Sequence, residues 1–171
     1  SEGRFKFSTK WRYKENSLKP HEPASAIAWS PGGQYIASLH EGALAVWDAK
    51  KGFLIGLGDR IRPPHEIDEY VDVETTQTSL CWCPDNQSLI TISENGIILK
   101  YNVSKLIRAF SIFKYIKIKS FYYRGKVLSG QDEAKHNRLI DLSPDGQQIL
   151  SAGIDGAIRL LSAKSGKILS H

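Results

Sequence analysis

One frame of 23 or 24 residues is written three times along this chain: AIAWSPGGQYIASLHEGALAVWD at 26–48, SLCWCPDNQSLITISENGIILKYN at 79–102, and LIDLSPDGQQILSAGIDGAIRLLS at 139–162. A repeat constrains a fold more than any single residue does. Each copy is one supersecondary unit that can bury its apolar face only against its neighbours.

The first copy reads as a chain of short strands. Ala26, Ala28 and Ser30 alternate with Ile27 and Trp29, a period of two. Ser30-Pro31-Gly32-Gly33 is a tight turn: proline presets φ, serine accepts a backbone bond and glycine takes positive φ. Residues 35–39 form a second strand, Glu41-Gly42 a second turn, and 43–47 a third strand. The chain turns again at 48–52, and 53–57 supplies a fourth strand. The other copies obey the same grammar. Their first turns are Pro84-Asp85-Asn86 and Pro144-Asp145-Gly146, and their second turns are Glu94-Asn95-Gly96 and Asp155-Gly156. The third strands end in Val46-Trp47-Asp48, Lys100-Tyr101-Asn102 and Leu160-Leu161-Ser162. The expectation is an all-β fold of three four-stranded antiparallel sheets.

These residues resemble the WD-repeat family of β-propellers, with Trp47-Asp48 as the intact Trp-Asp pair and Tyr101-Asn102 and Leu161-Ser162 in its place elsewhere. The family's Gly-His pair is absent; Pro20-His21 and His136 stand nearest its position. The family's stabilising His–Ser–Trp–Asp network therefore lacks its usual histidine. The resemblance implies propeller blades at 24–57, 77–113 and 137–171, with 1–23 an N-terminal arm or closing strand. A propeller closes with 4–8 blades, so three blades form a partial or partner-completed ring with two apolar faces left open. The chain holds no methionine, even at position 1, which predicts a processed product or a piece of a longer polypeptide. Its end, Ser170-His171, falls where the family's next Gly-His would stand. The remaining blades would come from the same chain or another.

Two insertions depart from the repeat. Pro84 follows Pro31 by 53 residues and Pro144 follows Pro84 by 60, both more than a blade of about 40–45 residues needs. The first, 58–76, is an acidic loop containing Glu66, Asp68 and Glu69; from Asp59 to Glu74 there are six acids against two arginines. The second, 114–136, is basic and aromatic, with Lys114, Tyr115, Lys117, Lys119, Phe121, Tyr122, Arg124 and Lys126. Aromatics interleaved with cations can stack bases and neutralise phosphates, or meet an acidic protein; an extra hairpin with snorkelling lysines accounts for the same pattern. The excess is expected between the fourth strand of one copy and the first strand of the next. By the resemblance, both insertions would then share a rim with the turns between second and third strands. Contact residues expected on that rim are His40, Glu41, Glu94, Asn95, Ile154 and Asp155.

Little points to chemistry. There is no nucleophile elbow, P-loop, dinucleotide fingerprint or His-Glu-x-x-His. The five histidines stand singly, and the glycines bracket the repeat's own turns. Cys81 and Cys83 share a strand face about 6.5–7 Å apart, at the limit for a disulfide, and two thiols fall short of a structural zinc site. They are expected to be buried thiols in a reducing compartment, cytoplasmic or nuclear. No apolar run reaches the ~18 residues of a membrane span. The expected function is a non-enzymatic protein-interaction scaffold in a multiprotein assembly, without cofactor or metal. The alternatives are a nucleic-acid-associated propeller of a ribonucleoprotein complex and a regulatory propeller fused to an effector module.

Overall fold

The computed structural model describes residues 24–40, 43–58, 77–93, 96–116, 126–129 and 137–170. They form three four-stranded antiparallel sheets, here called blades. Blade 1 is β1 (Ala24–Trp29), β2 (Tyr35–His40), β3 (Ala43–Asp48) and β4 (Leu54–Gly58). Blade 2 is β5 (Gln77–Trp82), β6 (Ser88–Ser93), β7 (Ile98–Asn102) and, after helix α1 (Val103–Ile116), β8 (Lys126–Ser129). Blade 3 is β9 (Asn137–Leu142), β10 (Gln148–Gly153), β11 (Ile158–Ser162) and β12 (Ile168–Ser170). Each sheet pairs its strands in chain order.

The proline turns are built alike. The N–H of Gly33, Asn86 and Gly146 donates to the carbonyl of Ser30, Cys83 and Ser143 at 2.8, 3.1 and 2.8 Å. Those three donors have φ of 68°, 56° and 72°. Asn86 is the non-glycine there, and asparagine tolerates the left-handed region better than most residues. Its side chain also reaches the neighbouring blade, where its Oδ1 accepts from Gly32 N–H at 3.0 Å. A second rule recurs. The carbonyls of Gln34, Gln87 and Gln147 accept from the N–H of Ala49, Val103 and Ala163 at 2.8–3.0 Å, tying the first turn of each repeat to the end of its third strand.

At that strand end the copies diverge. Asp48 Oδ1 accepts from the N–H of Lys50 and Lys51, and Ser162 Oγ from Lys164 and Ser165. Each turn is closed four residues on by a glycine at positive φ, Gly52 at 68° and Gly166 at 71°. Asn102 begins the same way, accepting from Lys105 N–H at 2.9 Å. Four residues on, however, stands Leu106, which continues the helical path instead of ending it. Asn102 thus becomes an N-cap, and α1 runs for 14 residues. Val103, Leu106 and Phe110 are buried and Ile107 is partly so, the i, i+3, i+4, i+7 stripe of an amphipathic helix. Ser104, Lys105, Arg108 and Ser111 face solvent.

This corrects the expected placement of the second insertion. The fourth strand of blade 2 is β8, inside the segment assigned to the insertion, and residues 103–113 are helix rather than strand. The added chain lies within the blade, between its third and fourth strands.

The blades stack face to face, with β5 between β1 and β9. The upstream face of blade 2, with Leu80, Trp82, Leu89, Leu99 and Tyr101, packs on Ala26, Ala28, Ala37, Leu39, Leu44 and Val46 of blade 1. Its downstream face, with Cys81, Cys83, Ile90, Ile92 and Ile98, packs on Ile140, Leu142, Ile149 and Leu161 of blade 3. Every residue of β6 is buried because this blade is covered on both sides. β1 alternates, with Ala26 and Ala28 half-buried toward blade 2 and Ile27 and Trp29 exposed on the other face.

A candidate interaction rim and two open faces

The register defines two rims. At one stand the proline turns. At the other, β2 ends in His40 opposite Ala24, β6 in Ser93 opposite Gln77, and β10 in Gly153 opposite Asn137. The segment 59–76 runs from Gly58 to Gln77, so its two anchors lie on this second rim. The segment 103–125 that precedes β8 is anchored otherwise: Asn102 opposes Ser88, and Lys126 opposes Lys100 two residues further in, both toward the proline-turn rim. The expectation that both insertions leave one rim is corrected for the part of the second that precedes β8, because α1 replaces a turn of the proline rim.

Of the contact residues expected from the sequence, His40, Ile154 and Asp155 are described. His40 ends β2, and its Nε2 lies 2.9 Å from Ser38 Oγ, which in turn accepts from Trp47 Nε1–H at 2.8 Å. Blade 1 thus keeps a Trp–Ser–His chain, with the histidine drawn from β2 itself rather than from ahead of β1. The equivalents of Ser38 are Thr91 and Ser151, each seven residues beyond its proline. Tyr101 and Leu161 replace the tryptophan, and the hydroxyls of Thr91 and Ser151 are buried without a hydrogen-bond partner.

Ile154 and Asp155 form the turn between β10 and β11. Ile154 is 62% exposed, an isoleucine at the tip of a tight turn. Asp155 accepts from Ala157 N–H at 3.0 Å and is ion-paired with Arg159. The Arg159 guanidinium, then the Ala157 N–H, pull its carboxyl down to about 2. Asp155 therefore holds its own turn, and Ile154 is the exposed side chain beside it. Lys114 and Tyr115 lie in α1 and Lys126 in β8. Glu41, Glu66, Asp68, Glu69, Glu94, Asn95, Lys117, Lys119, Phe121, Tyr122 and Arg124 lie outside the described residues, as does the N-terminal segment 1–23.

The site that sequence reasoning left without residues is the pair of open faces. Ile27 and Trp29 are 69% and 59% exposed on the upstream face of blade 1. Leu139, Leu150 and Ile158 are 63%, 46% and 62% exposed on blade 3, on strand positions that face away from blade 2. The signal was in the alignment of the repeats. Trp29 and Trp82 each stand two residues before their proline, so one predicts the face of the other.

Burial raises the Cys81 thiol to about 12, helped by Cys83 and Asp141, and the Cys83 thiol to about 11. Both are free thiols in the interface between blades 2 and 3. Among the described residues no three His, Cys, Asp or Glu side chains gather to hold a metal ion. Among them, too, no helix is long and apolar enough to cross a membrane.

Three four-stranded antiparallel sheets stacked face to face, each with the same turn grammar, define a protein of the β-propeller class. Residues 13–48 and 134–162 match the family model described as WD domain, G-beta repeat. Over those two stretches the chain is similar to the WD-repeat family. WD repeats serve generally as protein-interaction scaffolds, and proteins built from them are typically non-enzymatic. No curated protein matches the chain.

Proposed function

We propose that this chain is a non-enzymatic scaffold of a multiprotein assembly, which takes a basic protein partner on the rim carrying His40, Ile154 and the anchors of the acidic segment. The observation that carries the reading is Ile154. A large apolar side chain 62% exposed on a tight turn is a ready anchor for a partner, since interface energy concentrates in a few such groups. The acids of 59–76, anchored on the same rim, supply the polar surround and the steering charge. The open upstream face of blade 1 and downstream face of blade 3 are read as docking surfaces for further blades. Two buried free thiols support a reducing compartment, cytoplasmic or nuclear.

The test is a comparison of captured partners between the wild type, Ile154→Asp, the pair Glu41→Lys with Glu94→Lys, and Lys51→Glu on the proline-turn rim. The first two variants should lose the partner while keeping the wild-type unfolding midpoint, and Lys51→Glu should retain it. Equal capture by all four chains would reject the rim.

A further inference from the structure

The turns of the proline rim touch from blade to blade. Asn86 Oδ1 accepts from Gly32 N–H at 3.0 Å, and its Nδ2 donates to Gln34 Oε1 at 3.4 Å. A Cβ built on Gly146 would lie 3.0 Å from Pro84 Cδ, so the proline turns of blades 2 and 3 are in contact as well. The chain after each third strand is tied to this row, because Ala49, Val103 and Ala163 N–H donate to the carbonyls of Gln34, Gln87 and Gln147. The register agrees: Asp48, Asn102 and Ser162 oppose Tyr35, Ser88 and Gln148, the first residues of β2, β6 and β10. One continuous surface therefore carries all three connections.

That surface is basic by repetition. Lys50 and Lys51 follow the third strand of blade 1, Lys105 and Arg108 that of blade 2, and Lys164 and Lys167 that of blade 3. All six are exposed, and among the described residues none is ion-paired. Three acids stand in the described turns of this rim, each engaged in holding its own turn. Asp48 accepts from Lys50 and Lys51 N–H, Asp85 from Gln87 and Ser88 N–H, and Asp145 from Gln147 N–H and the Ser143 hydroxyl. One aromatic lies among the cations. The Phe53 carbonyl accepts from Asp48 N–H at 2.8 Å, as the Lys167 carbonyl does from Ser162 N–H, so the two hold the same place in their turns. Phe53 is 64% exposed.

The make-up of this surface separates two kinds of anionic partner. Protein interfaces are depleted in lysine and serine and draw their energy from apolar and arginine anchors. Here five of the six cations are lysines, and Ser104 and Ser165 stand exposed beside them. Lysine, arginine and hydroxyl side chains are the groups that meet phosphate oxygens. An exposed aromatic beside them stacks an unpaired base.

We infer that the proline-turn rim binds the phosphate backbone of a single-stranded nucleic acid, the strand crossing the three blades with a base stacked on Phe53. Blades are added at their faces and not at their rims, so this surface is the same whatever the number of blades in the whole protein. The basic protein partner proposed above takes the opposite rim, and the nucleic acid does not compete with it.

The experiment is fluorescence anisotropy of labelled fifteen-nucleotide oligo-U RNA and oligo-T DNA, titrated with the chain at several salt concentrations. Both strands should bind, because neither the cations nor Phe53 reads the 2′-OH. The logarithm of the affinity should fall linearly with that of the salt concentration, with a slope of about −0.7 per phosphate met. Three paired variants test the row: Lys50→Gln with Lys51→Gln, Lys105→Gln with Arg108→Gln, and Lys164→Gln with Lys167→Gln. Each should flatten the slope by about 1.4 while keeping the wild-type far-UV circular dichroism. Phe53→Ala should weaken binding about tenfold at an unchanged slope. Lys117→Gln with Lys119→Gln, in the second insertion, is the matched control and should keep the wild-type slope. Failure of both strands to bind overturns the inference. So does a slope that the control pair changes and the rim pairs do not. A fifteen-residue poly-glutamate peptide that displaces the RNA at equal concentration would make the rim a site for an acidic protein, and also overturns it.

Discussion

Leu106 fills the space that a side chain at Gly56 would need: a Cβ built on Gly56 would lie 2.0 Å from Leu106 Cδ2. The helix inserted in blade 2 therefore lies directly on the outer strand of blade 1. Gly58, one alternation further along, meets Tyr101 in the same way, its built Cβ 3.2 Å from the ring. Leu106 is fully buried, so it cannot swing aside into water.

Gly56→Ala is accordingly expected to destabilise the chain by about 1–3 kcal/mol, the range for overpacking a filled core. Leu106→Ala alone should cost about 2–5 kcal/mol through the cavity it leaves. The two changes together should cost less than their sum, since each relieves the other. A double-mutant cycle by urea denaturation reads that coupling. Additive costs would mean that the helix does not sit on β4.

Trp82 joins blades 1 and 2 by two separable contacts. Trp82→Phe keeps a ring over Tyr35 and loses the indole N–H donated to Ala28. The expected loss is about 0.5–1.5 kcal/mol for the hydrogen bond. Trp82→Ala loses the ring as well, and about 3–5 kcal/mol is expected. Unfolding midpoints of the two variants, measured side by side, separate the terms. If Trp82→Phe matched Trp82→Ala, the hydrogen bond rather than the stack would hold the blades.

How much of this was legible before the structure depends on how local each signal is. The proline turns could be read because Ser30, Pro31 and Gly33 act within four residues, and the strands between them follow by alternation. The helix could not be read from the repeat, since Asn102 begins a turn in the same way as Asp48 and Ser162. The discriminating residue is Leu106, where the other copies have Gly52 and Gly166, and its meaning appears only when the three ends are aligned at that position. The open faces were expected in number but not in residues. Exposure at Trp29 and burial at Trp82 are set by whether a neighbouring blade is present, which one repeat does not encode. The Trp47–Ser38–His40 chain was hidden for another reason: its histidine comes from an unexpected strand.

The three equivalent hydroxyls should respond differently to removal. Ser38 accepts from Trp47 and lies against His40, so Ser38→Ala leaves the indole N–H without that acceptor and should cost about 1–3 kcal/mol. Thr91 and Ser151 bury hydroxyls with no partner. Thr91→Val keeps the shape and removes the polar group, so it should be neutral or stabilising, as should Ser151→Ala. Thermal or urea unfolding of the three variants decides it. A loss at Thr91 as large as that at Ser38 would show that its hydroxyl is bonded in solution.

The thiols make stability fall on the alkaline side. Cys81 and Cys83 are raised to about 12 and about 11 by burial, against about 8.5 in an unfolded chain. A raised acid pKa means that the folded state holds its protons more tightly. The contribution is therefore complete below about pH 8.5 and is lost as pH climbs through 11 and 12. Other groups titrate in that window, so the comparison must be with Cys81→Ala combined with Cys83→Ala. The unfolding midpoint of the wild type should fall more steeply than that of the variant between about pH 8 and pH 10. At pH 7.5 a thiol reagent should find neither cysteine until the interface between blades 2 and 3 opens, so labelling should track unfolding in urea. Rapid labelling of the native chain would show that the interface is open to solvent and that burial does not set the two values.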